Sequence, residues 1–289
     1  MTEESKSRGV ETAGYGEVCV ALGSVKLGEL TVSRFILGGN PQSGFSHLNE
    51  AMDREMMDYF TSATMKALLR QAEGLGVTTH IARADHHIMR LLREYWAEGG
   101  TIQWIAQTCP ELGTPQRGAE NGIRNGAKAA FIHGGQTDNY FANNKLPDLA
   151  PVIAMIRDAG LPAGVAAHRP EALEWVDEHL DVDFYMCCYY NPTPRDKSAE
   201  HIRGSKEWFH DADRDRMTAT IQHLSKPAIH YKILACSRNE PRAAFRYAAS
   251  KLRPQDAVCV GIYPNGKVGE LEEDVRLLEE GLREAAEQT

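Results

Sequence analysis

The residues of this chain that could do chemistry stand at the ends of short apolar runs. They are Asn40 and Ser43; Arg83, Asp85, His86 and His87; Gln107 and Thr108; His133 and Asp138; His168; Cys187, Tyr189 and Asn191; His230 and Lys232; Tyr263 and Asn265. Imidazoles converging from several strands are the usual material of a divalent-metal site, and the usual acids and bases near neutral pH. His133, before Gly134-Gly135, and His168, after the small residues of Gly164–Ala167, are expected to face one cavity. Together with His87 they form a candidate metal set; His133 with Lys232, Asp85, His86 and Arg83 forms the candidate catalytic set. Lys232 interrupts an apolar run, so it must be paired or sit in a polar cavity, because an unpaired buried ammonium is costly. It is expected to face the two histidines and to act as a base or to stabilise enolate-like charge. Asn40, Gln107, Asp138, Tyr189, Asn191 and Tyr263 are the expected substrate contacts. The pair Cys187-Cys188 reads first as buried filler, since free cysteine behaves as a small hydrophobe; one of the two must point inward, and Cys187 is kept as the alternative site residue, while His230 reads as core.

Positioning these residues requires a repeated unit. From Thr31 onward short apolar runs alternate with helical patterns eight times. The runs are 32–38, 78–84, 102–108, 129–133, 162–167, 182–189, 228–235 and 257–262; their β-branched and apolar content suits strands buried on both faces. Amphipathic helical patterns lie between them, for example 64–73, 87–98, 149–159, 170–179, 214–224, 242–251 and 270–284. Gly74, Gly76 and Gly99-Gly100 end helices, and Pro170 sits just inside the start of one, where its missing N–H costs nothing. Alternating units joined by short connections force a parallel sheet. Eight of them, with no glycine-rich phosphate fingerprint after the first strand, predict a single closed (β/α)8 TIM barrel over 17–289, with Phe35, Ile105 and Phe131 buried. Residues 1–16 read as a disordered lead-in. Segments 17–22 and 25–30, flanking Gly23-Ser24, read as a hairpin that plugs the barrel floor. Two long connections, 40–60 and 191–213, follow strand ends, and 192–213 is expected to lie over the mouth with Trp208 and Phe209 beneath it.

Composition excludes several classes. The net charge of −8 with no Lys/Arg-rich run argues against nucleic-acid binding. No apolar stretch is long enough to span a bilayer. Six cysteines without CxxC spacing fit reduced thiols and a cytoplasmic setting. The expected partner is a small molecule, with homo-oligomerisation left open.

Several segments resemble the aldo/keto reductases. The run Leu27-Gly28-Glu29-Leu30-Thr31-Val32-Ser33-Arg34 followed by Leu37-Gly38-Gly39 is similar to that family's opening, and Ala72-Glu73-Gly74-Leu75-Gly76-Val77 to its second-strand entry. Phe131-Ile132-His133 resembles its fourth strand, Tyr190-Asn191-Pro192 the end of its sixth, and Tyr231-Lys232-Ile233-Leu234 its seventh. The resemblance implies a barrel and NAD(P)-dependent carbonyl reduction by an Asp, Tyr, Lys and His. Matched onto this chain, those positions fall at Ile81, His86, Gln107 or Thr108, and His133, so that only the histidine is kept. The family's basic grip on a cofactor phosphate would match 266–274, which here holds Lys267 among Glu270, Glu272, Glu273 and Asp274.

The favoured expectation is therefore a non-redox isomerase, epimerase or lyase acting on a small polyhydroxylated, sugar-like substrate, with a histidine-based, metal-assisted site. An NAD(P)-dependent oxidoreductase with His86 as replacement proton donor is the alternative, and a catalytically silent binding barrel the third reading.

Overall fold

The computed structural model describes residues 22–191, 209–265 and 267–288. The chain runs β1 (Ser24–Leu27), β2 (Leu30–Ser33), β3 (Phe35–Gly38), α1 (Glu50–Tyr59), α2 (Ser62–Gly74), β4 (Thr79–Arg83), α3 (His86–Ala97), β5 (Gln103–Gln107), α4 (Pro115–Arg124), β6 (Ala129–Ile132), α5 (Gly134–Ala142), α6 (Ala150–Asp158), β7 (Ala163–Ala167), α7 (Pro170–His179), β8 (Phe184–Cys188), α8 (Asp211–Ile221), β9 (Ala228–Tyr231), α9 (Pro241–Lys251), β10 (Ala257–Gly261) and α10 (Glu270–Glu287). Strands β3 to β10 pair in parallel in sequence order, and β10 closes onto β3. This is the expected (β/α)8 barrel.

Strand alternation sorts the core into two layers. Ile36, Ile81, Ile105, Phe131, Ala166, Phe184, Met186 and Ile229 fill the interior together with Val25, Leu27 and Val32 of the hairpin, which thus plugs the barrel. Phe35, Leu37, Trp104, Ile132, Val165 and Tyr185 face the helices. Phe35, Ile105 and Phe131 are buried as expected.

Four boundaries differ from the sequence reading, each for a local reason. The hairpin turns at Gly28-Glu29, not Gly23-Ser24: Ser24–Leu27 pairs with Leu30–Ser33, and Gly28 takes φ +56° at the first turn position, where glycine is favoured. The expected first strand, 32–38, is divided between β2 and β3 at Arg34, whose guanidinium donates to the carbonyls of Asp256, Arg253 and Pro254. The connection 40–60 contains helix α1, started by the Asn49 side chain accepting from the Met52 N–H. The seventh barrel strand stops at Tyr231 because Lys232 turns to φ +59°. The expected lead-in and the cover at 192–208 lie outside the described residues; Phe209, at the end of that segment, packs at 5.8 Å from the Tyr190 ring. No helix among the described residues is long and apolar enough to cross a membrane.

Helix α10 carries an uncompensated group. Asp274 is 1% exposed, and neither carboxylate oxygen has a hydrogen-bond partner. Burial, aided by repulsion from Glu270 and opposed by Lys267, pushes its carboxyl up to about 7. The folded protein therefore holds a proton there that the unfolded chain releases near pH 4, so this group lowers stability as pH rises from about 4 to about 7. Asp274→Asn is expected to match wild type at pH 4 and to gain up to about 4 kcal/mol at pH 8. Chemical denaturation across that range measures the difference; a constant or falling difference would contradict the buried, protonated carboxyl.

Candidate active site

A cavity of about 1240 Å³ opens at the carboxyl ends of the barrel strands, the face on which such barrels keep their chemistry. Of the residues expected at the site, Asn40, Arg83, Gln107, His133, His168, Lys232 and Tyr263 line it.

Helix α5 organises the centre. His133, the residue after β6, caps this helix: its Nδ1 accepts from the Gly135 N–H at 3.1 Å, and its own N–H donates to Thr108 Oγ1 at 2.8 Å. An Nδ1 that accepts is unprotonated, so a neutral ring carries its hydrogen on Nε2. Burial, then the nearby charges of His168 and Arg83, pushes the His133 pKa down to about 3. The imidazole is therefore a neutral hydrogen-bond donor at working pH.

One turn along α5, Asp138 is fully buried. Its Oδ1 accepts the N–H groups of His168 and Arg169 at 3.1 and 3.3 Å, and its Oδ2 lies 2.7 Å from His168 Nδ1. Two backbone N–H donors favour the ionised carboxylate, so His168 Nδ1 donates and, in the neutral ring, Nε2 carries no hydrogen. The His168 ring lies against Gly134: a Cβ there would come within 3.0 Å of His168 Cε1 and 3.4 Å of the Tyr231 hydroxyl. Only glycine leaves that room.

Arg83, at the end of β4, donates to Asp85 and Glu111 at 2.9 Å each and lies over the Phe45 ring at 4.9 Å. Burial alone would lower its pKa, but Glu111 and Asp85 outweigh it, and the guanidinium is held charged.

Other expected site residues stand elsewhere. Asp85 caps α3 by accepting from the Ile88 N–H and orients Arg83 from outside the cavity wall. His86 and His87 are exposed in the first turn of α3 and do not line the cavity. Among the described residues no three His, Cys, Asp or Glu side chains converge as a metal-ligand set. The grouping of His87 with His133 and His168 is therefore not assembled, and the ring Nδ1 atoms of the latter two are already engaged. Asp138 stands behind His168, not on the cavity wall. Tyr189 and Cys187 lie on the outer face of the sheet, because Phe184, Met186 and Cys188 take the inward positions of β8. Tyr189 bonds His230, which also faces Asp256 in a buried outer network, so His230 is core as read. Asn191 does not line the cavity, and Lys232 reaches it from the loop after β9, not from within a strand.

Tyr231 was missed. It ends β9 and lines the cavity; its ring sits edge-on to His168 at 6.4 Å. Burial, then the adjacent Cys188, raises its pKa well above the ordinary tyrosine value, so the hydroxyl stays a donor. Glu111 and Arg238 were also missed; Glu111 lies in a single 3-10 turn, Pro110–Leu112, and Arg238 in the turn after β9, both too short to carry a periodic signal.

No family model matches the sequence, and no curated protein matches it. Solved structures do. A candidate aldo-keto reductase from Pseudomonas aeruginosa superposes with TM-score 0.61 at 16% identity, covering 90% of this chain and 96% of its own. A second such structure gives 0.59 at 17% identity, covering 90% and 94%. A truncated 3-deoxy-D-arabino-heptulosonate 7-phosphate synthase from Thermotoga maritima gives 0.52 at 10% identity, covering 92% and 91%. At these identities the likeness is one of fold.

The fixed cap predicts a fixed tautomer. In ¹⁵N NMR, His133 is expected to show a protonated Nε2 and a bare Nδ1, with no titration between pH 5 and 8. A midpoint above pH 5 would mean that the ring charges in the working range.

Proposed function

We propose that the chain is an acid–base enzyme of the isomerase or lyase type, moving a proton on a carbon beside a carbonyl of a small polyhydroxylated substrate. One observation carries this: the buried Asp138 carboxylate 2.7 Å from His168 Nδ1, with the ring on the cavity wall. A histidine whose Nδ1–H is held by an ionised carboxylate presents a bare, more basic Nε2.

The reaction that fits begins with removal of the C–H proton by His168 Nε2. The electron pair moves to the carbonyl oxygen, whose developing charge needs donors already in place. The neutral His133 Nε2–H and the Tyr231 hydroxyl are of the right kind, since neither ionises in the working range. Return of the proton to the neighbouring carbon, with the adjacent hydroxyl's proton passing to the former carbonyl oxygen, gives isomerisation; delivery to a leaving hydroxyl on the next carbon gives elimination of water. Gln107 and Asn40, also on the wall, suit substrate hydroxyls.

A nicotinamide cofactor with a 2′-phosphate does not fit the residues after β10. Lys267 is already paired with Glu273 at 3.2 Å, and Glu270, which accepts from the Tyr263 N–H, lies beside it. No step is derived through such a cofactor.

The test is proton exchange in D2O, read by ¹H NMR over a panel of hydroxyaldehydes, hydroxyketones and hydroxyacids. Wild type is expected to wash out one C–H signal of its substrate, and His168→Asn to do so about 10²–10⁴-fold more slowly with an unchanged circular dichroism spectrum. Wild-type exchange by the variant would remove His168 as the base.

A further inference from the structure

The wall after β9 is built unlike the rest of the cavity. Within six residues four side-chain-bearing positions take left-handed φ: Lys232 at 59°, Ala235 at 48°, Cys236 at 54° and Ser237 at 64°. Such backbone is disfavoured away from glycine and persists only where its surroundings impose it. It is braced by the Ala235 N–H donating to the Lys232 carbonyl at 2.9 Å, and by Arg238, which donates to the carbonyls of Ala235 and His47 at 3.1 Å each. The Arg238 guanidinium also lies 4.1 Å from the centre of the Phe209 ring. The winding places Lys232, Ser237 and Arg238 on the cavity wall.

Charge pairing sets this wall apart. Of the cations lining the cavity, Arg83 is bound to Asp85 and Glu111. Neither Lys232 nor Arg238 has a carboxylate partner among the described residues, although Glu50, Asp53, Glu111 and Glu270 line the same cavity. Glu50 faces Arg54 at 3.9 Å on the exposed side of α1, and the other three are committed: Glu111 to Arg83, Asp53 to the Ser46 N–H and hydroxyl, and Glu270 to the Tyr263 N–H. The carbonyls that hold Arg238 fix its position without cancelling its charge. The Ser237 N–H and hydroxyl also have no partner among the described residues. A fixed guanidinium, an ammonium and a hydroxyl on one concave wall match an anion with several oxygens and more than one negative charge. In barrels of this kind the loop after the seventh strand is a frequent phosphate site, and β9 is the seventh barrel strand.

We infer that Lys232, Ser237 and Arg238 hold the phosphate of a small phosphorylated substrate. This rests on the proposed proton transfer for its meaning, since it names the handle by which that substrate is gripped. It gives Lys232 a binding role in place of a base. The handle and His168 line one cavity, so an anchored phosphate would leave the remainder of a short carbon chain to the reacting groups.

The test uses the full chain and inorganic phosphate as probe, followed by titration calorimetry at constant ionic strength. One saturable site is expected, weakened about tenfold or more by Lys232→Met and by Arg238→Gln and restored in part by Lys232→Arg. Because Arg238 braces its own loop, Ser237→Ala, which removes a donor without a structural partner, serves as the milder probe and is expected to weaken binding measurably. His168→Asn is expected to bind phosphate as wild type does, so a failure of the acid–base reading leaves this result standing, and loss of phosphate binding leaves the proton-exchange result standing. The inference is overturned if phosphate does not saturate at tens of millimolar, or if the substitutions change nothing. It is equally overturned if acetate competes as well as phosphate, or if NADPH binds at this wall far more tightly, which would make it a dinucleotide site.

Discussion

The buried carboxylate of Asp138 is the constraint on which the site depends. A charge removed from water is tolerated only when its lone pairs are taken up. Here two backbone N–H groups and an imidazole take them. Those donors come from the segment after β7, while the carboxylate rides on α5, so one group ties a helix to the adjoining strand end and sets His168 at the same time. Removing it would leave His168 without orientation and the two backbone N–H groups without acceptors.

Helix α5 is therefore more than a connection. Its cap is His133, which spends Nδ1 on the Gly135 N–H, and one turn later it supplies Asp138. The same short element fixes the tautomers of both histidines, one with its hydrogen on Nε2 and the other with its hydrogen on Nδ1. Burial keeps His133 neutral, and protonation of His168 would add like-charge repulsion in the same direction. Two imidazoles in one cavity thus take different roles because their Nδ1 partners differ, an N–H in one case and a carboxylate in the other. Gly134 is the geometric condition for this arrangement, since a side chain there would meet the His168 ring.

Much of the architecture was legible in the sequence because parallel strands buried on both faces leave apolar runs that repeat with the βα unit. His133 and His168 were legible for the same reason: a polar residue just beyond such a run stands at a strand end. What was not legible depended on single backbone angles or on partners far apart in sequence. The inward cysteine of β8 is Cys188, and Cys187 and Tyr189 face the helices; a two-residue period is clear, but its phase is set by the partner strands. Asp85, His86 and His87 looked like a site cluster and proved to be the start of α3, with Asp85 as its cap. Helix α1 was read as loop, since its cap at Asn49 precedes an exposed, strongly polar turn. Tyr231 has the look of an ordinary strand aromatic in the sequence; it ends β9, just before the left-handed Lys232, and lines the cavity.

The ionised Asp138 and the tautomer it imposes on His168 are the centre of this account. They are read most directly by long-range ¹H–¹⁵N NMR of the His168 ring in wild type and in Asp138→Asn at a pH where the ring is neutral. A protonated Nδ1 and a bare Nε2 are expected in wild type, and loss of that single tautomer in the variant. A bare Nδ1 in wild type, accepting from a protonated Asp138, would contradict it.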